Sequence, residues 1–272
     1  MNMEMMHMDT AELTSGGWKV LVVLDACRYD YFEKVYRRFF KGKLEKRTSP
    51  TTRSIEWLVE TFKGNYQDTI YISANPFVTP KTEAVVTGLK FSAKEKFFKV
   101  VNVLEDDWDE ELQMVTPEAV NRAFLRELKE HPGKRFILHY LQPHYPYVKL
   151  SMEDSQSRMK KKPIDRPEKG LGEFLNSIGL NVRTIKQLLG RPSDQMGYIM
   201  NKFGVERLRE EYEANLVWVL EGIAKIVPSV KGRVVITSDH GEMLGEHGKL
   251  GHDPYLPKYK ELMDVPYLVV ER

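Results

Sequence analysis

A single cysteine, Cys27, stands in a chain of 272 residues. That scarcity excludes a disulfide framework within the chain, and a multi-cysteine zinc site with it. A surplus of one charge is also missing. Lysine and arginine number 41 against 39 aspartates and glutamates, a formal net charge of +2. The composition therefore carries no basic footprint for nucleic acid, and the run Lys160-Lys161-Lys162 reads as solvated surface. No apolar run approaches the roughly 20 residues that span a bilayer, so no membrane span is expected. Residues 1–10 are methionine-rich but lack the basic flank and apolar stretch of a signal peptide. They read as a disordered tail on a cytoplasmic protein. No repeat of fixed period is present, which excludes a solenoid or propeller. What remains is an ordinary globular composition, 42% hydrophobic and 29% charged, with length for one or two domains.

Strand-like and helix-like runs alternate along the chain. The spacing predicts strands over 18–24, 69–73, 98–103, 135–141, 233–237 and 267–270. Runs such as Val20-Leu21-Val22-Val23-Leu24 suit strands buried on both faces of a parallel sheet. Helical faces fall between them. Phe32, Val35, Tyr36 and Phe39 share one. Leu208, Tyr212, Leu216, Val219, Leu220 and Ile223 share another, in a helix ending near Pro228. Pro117 opens a third. The pattern predicts an α/β fold, a mostly parallel mixed sheet sandwiched between helices. Residues 1–272 read as one catalytic domain. Residues 151–204, polar and without a convincing strand, read as an insertion or lid within it.

In open α/β sheets, ligands bind beyond the carboxyl ends of the strands. The predicted strands deliver Asp25, Asn75, His139 followed by His144, and Asp239 with His240 to that edge. Asp25 follows a buried apolar strand, where an unpaired charge is costly. It either faces a metal or caps the next helix. Asp239 and His240 offer hard oxygen and imidazole nitrogen, a pairing suited to Zn²⁺ or Mn²⁺, or else form a capped turn at Gly241. His247 and His252, in a glycine-rich stretch, could bind metal, hold an anionic oxygen or protonate a leaving group. The hydroxyl-rich segment Ser49-Pro50-Thr51-Thr52-Arg53-Ser54 runs into a helix. There a hydroxyl acts as a simple cap or as a nucleophile favoured by the helix N-terminus, and Arg53 could steady anionic oxygens. His139, inside an apolar strand, reads as a satisfied core histidine, and Cys27 as a small buried hydrophobe.

Together these segments, 21–30, 49–64, 139–147 and 234–252, resemble the alkaline phosphatase superfamily. Ser238-Asp239-His240-Gly241-Glu242 followed by Gly245-Glu246-His247-Gly248 is the most specific part. The resemblance implies that superfamily's fold and ligation of a divalent metal (Zn, Mn, Mg or Ca) by Asp25, Asp239 and His240. By the same resemblance, His247 and His252 look like further ligand or leaving-group residues. The resemblance also implies a hydroxyl nucleophile bound to the metal and a substrate-side histidine at His144. A glycine often follows the family's nucleophile by about ten residues, and Ser54 to Gly64 has that spacing. Ser54 is therefore the first candidate and Thr52 the second. Arg53 and Asn75 are candidate substrate contacts. Two departures stand out. Pro50 directly follows Ser49, which breaks the sulfatase formylglycine motif. The aspartate of the two-zinc D-x-x-x-H motif falls at Tyr140. The expected activity is metal-dependent hydrolysis or transfer at a phosphoester or phosphodiester. A sulfatase-like hydrolase without formylglycine, or an inactive anion-binding member, are the alternatives. The expected partner is a small phosphate or sulfate ester.

Overall fold

The computed structural model describes residues 6–8, 10–81, 83–86, 88–150 and 192–271. Eight strands form the central sheet: β1 (Met6–His7), β2 (Val20–Asp25), β3 (Gly42–Thr48), β4 (Tyr66–Ser73), β5 (Phe97–Asn102), β6 (Arg135–Pro143), β7 (Val234–Ser238) and β8 (Asp264–Val270). Their order across the sheet is β1-β3-β8-β7-β2-β6-β4-β5. β8 alone runs against the others, pairing antiparallel with both β7 and β3. All six expected strands are present.

The centre of the sheet explains the continuous apolar runs. Every residue of β2 and β7 is buried. Val20, Val22 and Leu24 pack on one face, among side chains such as Phe32, Phe124, Leu216 and Leu220 of three covering helices. Leu21 and Val23 pack on the other face with Ile55, Trp57, Phe62 and Tyr71. Each fully buried side chain of this size contributes roughly 1.5–3 kcal/mol. The helices over the first face are Tyr29–Val35, Pro117–Glu130 and Val205–Ile226. Ser54–Thr61 lies over the second.

Two features depart from expectation. β3 is a strand although its sequence, Gly-Lys-Leu-Glu-Lys-Arg-Thr, is mostly charged. Its charges are paired: Arg47 is buried and bonds Glu12 and Glu45. Part of the supposed disordered tail is likewise ordered, since Met6 and His7 pair with Arg47 and Thr48. The reading of 151–204 as a lid falls largely outside the described residues. Within them, Pro192–Phe203 is a helix.

Candidate active site at the carboxyl edge of the sheet

Asp25 closes β2, and a register shift in β6 sets Pro143 opposite it. The His144 N–H then donates to the Asp25 carbonyl at 3.3 Å. Asn75 follows β4, and Asp239 and His240 follow β7. β3, the strand that the charge pattern conceals, carries the Ser49–Ser54 segment to the same edge. Every strand that supplies the cluster therefore ends on one side of the molecule.

The side chains meet in a buried group. Asn75 Nδ2 donates to Asp25 Oδ2 at 2.9 Å. The Ser54 hydroxyl lies 3.5 Å from the same Asp25 oxygen and 3.3 Å from His240 Nε2. His240 Nδ1 lies 2.8 Å from the Gly241 carbonyl. A carbonyl can only accept, so Nδ1 carries the proton and the bare Nε2 faces Ser54. Asp239 Oδ1 accepts from the N–H groups of Ala26 (3.0 Å) and His240 (2.8 Å). Asp239 Oδ2 is buried without a hydrogen-bond partner among the described residues. It lies 3.6 Å from His240 Nε2 and 3.8 Å from His139 Nε2. Asp25, His139 and Asp239 each offer a ligand atom within 4.8 Å of the others.

Beside this group, His144, Glu242 and His252 form a second one. His252 Nδ1 bonds Glu242 Oε1 at 2.8 Å, and Glu242 Oε2, also unpartnered, lies 3.9 Å from His144 Nε2. The His240 and His252 rings are 4.5 Å apart, which joins the two groups.

Burial governs the electrostatics. It pushes the Asp25 carboxyl well above its ordinary range, reinforced by the neighbouring Asp239 and Glu242 charges. Asp239 is also desolvated, but His240, His139 and its hydrogen bonds more than offset this and hold it low. Burial lifts Glu242 to about 7 and lowers His139, His144 and His252 to about 4. His240 is lowered by the same cause.

Of the residues singled out from sequence, the structure brings together Asp25, Ser54, Asn75, His144, Asp239, His240 and His252. Thr52 is buried, but the contacts with Asp25 and His240 are made by Ser54. Arg53 pairs with Glu56 on its own helix, and its charge still reaches His252. His247 is a correction. It is exposed, in the left-handed region at φ +53°, and stacks on Tyr259 at 4.5 Å. Among the described residues, no candidate metal group includes it. The glycine-rich turn that carries its backbone aims it outward. His139 is the second correction. It is not a satisfied core residue, because its Nε2 has no hydrogen-bond partner among the described residues. Gly241 serves close approach rather than a sharp turn, since a Cβ there would sit 2.1 Å from the Glu261 carbonyl oxygen.

Several supporting residues were not singled out. Glu242 stood in the quoted motif without a role. Ser238 accepts from the Cys27 N–H, and its hydroxyl lies 2.6 Å from the carbonyls of both Leu24 and His240, tying two strand ends together. Ser49 donates to the Asp239 carbonyl, which makes it a structural hydroxyl. Tyr212 donates to the Ala26 carbonyl and accepts from the Arg28 N–H. Asn215 spans the carbonyls of His144 and Pro146 and the N–H of Val148. Polar residues on the buried face of a helix were the only available signal for these two.

No family model matches the chain, and no curated protein matches it in sequence. Solved structures do. One is the C-terminal periplasmic domain of phosphoethanolamine transferase EptC from Campylobacter jejuni, at 15% identity and TM-score 0.51. The match covers 92% of this chain and 77% of that one. A second is the integral membrane lipooligosaccharide phosphoethanolamine transferase A from Neisseria meningitidis, at 14% identity and TM-score 0.54. It covers 94% of this chain, which spans about half (48%) of that protein. A third is the C-terminal periplasmic domain of EptC from Escherichia coli in complex with Zn, at 14% identity and TM-score 0.51, covering 92% and 71%. The chain shares the α/β fold of these transferase structures. The cytoplasmic assignment is overturned, because two of these relatives in fold are periplasmic domains and the third is a membrane protein. The composition of ten residues does not define a compartment. Among the described residues, no helix is long and apolar enough to cross a membrane.

Proposed function

We propose that the chain is a metal-dependent phosphoester or phosphodiester transferase or hydrolase with Ser54 as its nucleophile. One observation carries the reading: the Ser54 hydroxyl, at the first residue of a helix, faces both Asp25 Oδ2 and the bare Nε2 of His240. The donor set fits a divalent cation. Asp239 Oδ2 is buried without a hydrogen-bond partner among the described residues, and two carboxylates share a desolvated pocket with an unprotonated imidazole nitrogen. Asp25, Asp239 and His240 would hold the ion. When bound, such an ion lowers the pKa of a hydroxyl and neutralises charge on a phosphoryl oxygen.

The chain's own residues supply the rest. Asn75 fixes the Asp25 carboxylate, and Asp25 Oδ2 receives the Ser54 proton. Ser54 Oγ bonds to phosphorus as the bond from phosphorus to the leaving oxygen breaks. The first turn of the Ser54–Thr61 helix favours the negative charge gathered there. The leaving oxygen takes its proton from the Glu242–His252 pair: Glu242, raised to about 7, gives a proton to His252 Nδ1 as His252 Nε2 gives one up, and His144 flanks them. Water or an acceptor alcohol then attacks the phosphoserine, and the Ser54 oxygen leaves. The phosphoethanolamine transferases of like fold favour an acceptor alcohol and a phosphodiester donor.

The test is a turnover screen on nitrophenyl phosphate, bis-nitrophenyl phosphate and nitrophenyl sulfate. Each is run after chelation and with Zn²⁺, Mn²⁺, Mg²⁺ or Ca²⁺ restored. Metal-dependent turnover of a phosphate substrate, lost in Ser54→Ala, is the expected result. Turnover confined to the sulfate, or undiminished in Ser54→Ala, overturns the proposal.

A further inference from the structure

Two histidines face Asp239 Oδ2, and their other ring nitrogens have different partners. His240 Nδ1 meets a carbonyl, which leaves its Nε2 bare. His139 Nδ1 meets the hydroxyl of Tyr71 at 3.0 Å. A phenol can donate or accept, so the Tyr71 proton decides the tautomer. Tyr71 is fully buried, and its hydroxyl has no other hydrogen-bond partner among the described residues. Were it to accept from His139, its own proton would be left buried without an acceptor, an arrangement that folded proteins avoid. The hydroxyl therefore donates. A neutral His139 then carries its proton on Nε2, the nitrogen that lies 3.8 Å from Asp239 Oδ2. Both of these atoms lack a hydrogen-bond partner among the described residues.

We infer that Tyr71 and His139 form a positioning relay behind Asp239, in which His139 turns its Nε2–H toward the carboxylate across 3.8 Å and is not a metal ligand. The inference rests on the metal-dependent reading above. Its physical content is that opposite tautomers divide the work of two neighbouring imidazoles. His240 Nε2 offers a lone pair, whereas His139 Nε2 offers a proton that fixes how Asp239 presents its oxygens. Such outer partners are worth about 10–100-fold in metal affinity.

The experiment measures Zn²⁺ affinity of the chelator-stripped chain by competition with a chromophoric chelator, and the absorption spectrum of the Co²⁺-loaded chain. His139→Gln keeps an N–H donor near the Nε2 position, whereas His139→Leu removes it. Tyr71→Phe frees the tautomer. The expected result is unchanged stoichiometry throughout. Affinity falls about 10–100-fold in His139→Leu, recovers largely in His139→Gln and is intermediate in Tyr71→Phe. The Co²⁺ band positions are kept in His139→Gln. Equal loss in the Gln and Leu variants with a shifted Co²⁺ spectrum makes His139 a ligand and overturns the relay. Unchanged affinity in all three also overturns it. If His139→Leu does not fold, the Gln and Phe variants still decide. A parent chain that takes up no metal defeats the metal-dependent reading instead, so the two failures are distinguishable.

Discussion

Ser54 and Thr52 lie two residues apart at the start of one helix, and only their surroundings separate them. Ser54 reaches Asp25 and His240, whereas the Thr52 hydroxyl has no hydrogen bond among the described residues. Ser54→Ala is expected to lower turnover on the order of 10³-fold or more, and Thr52→Ala to stay within about tenfold of the parent. Steady-state kinetics on the same phosphate ester compares them. At Gly241 the constraint is steric. A methyl group would meet the Glu261 carbonyl, a backbone atom that cannot swing aside. Gly241→Ala is expected to destabilise the fold by about 1–3 kcal/mol, seen as a lower melting temperature. Asp25, Asn75, Asp239 and His240 were legible because each follows a strong apolar run, and burial requires such a run to end at a site or a turn. Glu242 and His139 were not, because their roles depend on which nitrogen or oxygen lacks a partner, and that exists only in three dimensions.

The helix Val205–Ile226 was readable from its apolar spacing, but its second task was not. Tyr212 and Asn215, three residues apart on its buried side, hold the loops that present Asp25 and His144. The loop partners lie far away in sequence, so no local pattern announces them. Asn215→Leu leaves the carbonyls of His144 and Pro146 without their donor. It is expected to cost ~1–3 kcal/mol of stability and to reduce turnover more than a comparable apolar core change, checked by melting and kinetics together. β3 was hidden for another reason. Its alternating charges resemble solvent-facing sequence, and only the Glu12–Arg47–Glu45 network makes them compatible with a sheet. Bonds from Lys43 and Arg47 hold Glu45 below its ordinary carboxylate range. A folded pKa below the unfolded one stabilises the fold above the unfolded pKa, about 4.3. That stabilisation is lost as pH falls through the folded value. Glu45→Gln should therefore flatten the acid limb of a plot of melting temperature against pH.

Across the whole molecule, the apolar strands and the class of sheet followed from periodicity, whereas the strand order required long-range pairing that no local run encodes. Removal of metal acts at this scale, because an ion bound only by the folded chain stabilises it by mass action. Chelation is expected to lower the melting temperature and abolish turnover together, and restored Zn²⁺ to recover both. The single reversed strand has a further consequence. β7 leaves the sheet at Ser238, and β8 re-enters beside it, with Thr237 paired to Tyr267. Everything between, including Asp239, His240, Glu242 and His252, is one excursion whose two ends are pinned to adjacent strands. Insertions at its exposed stretch around Tyr255 are therefore expected to leave the strand register beneath it, and Ser54 opposite, where they are.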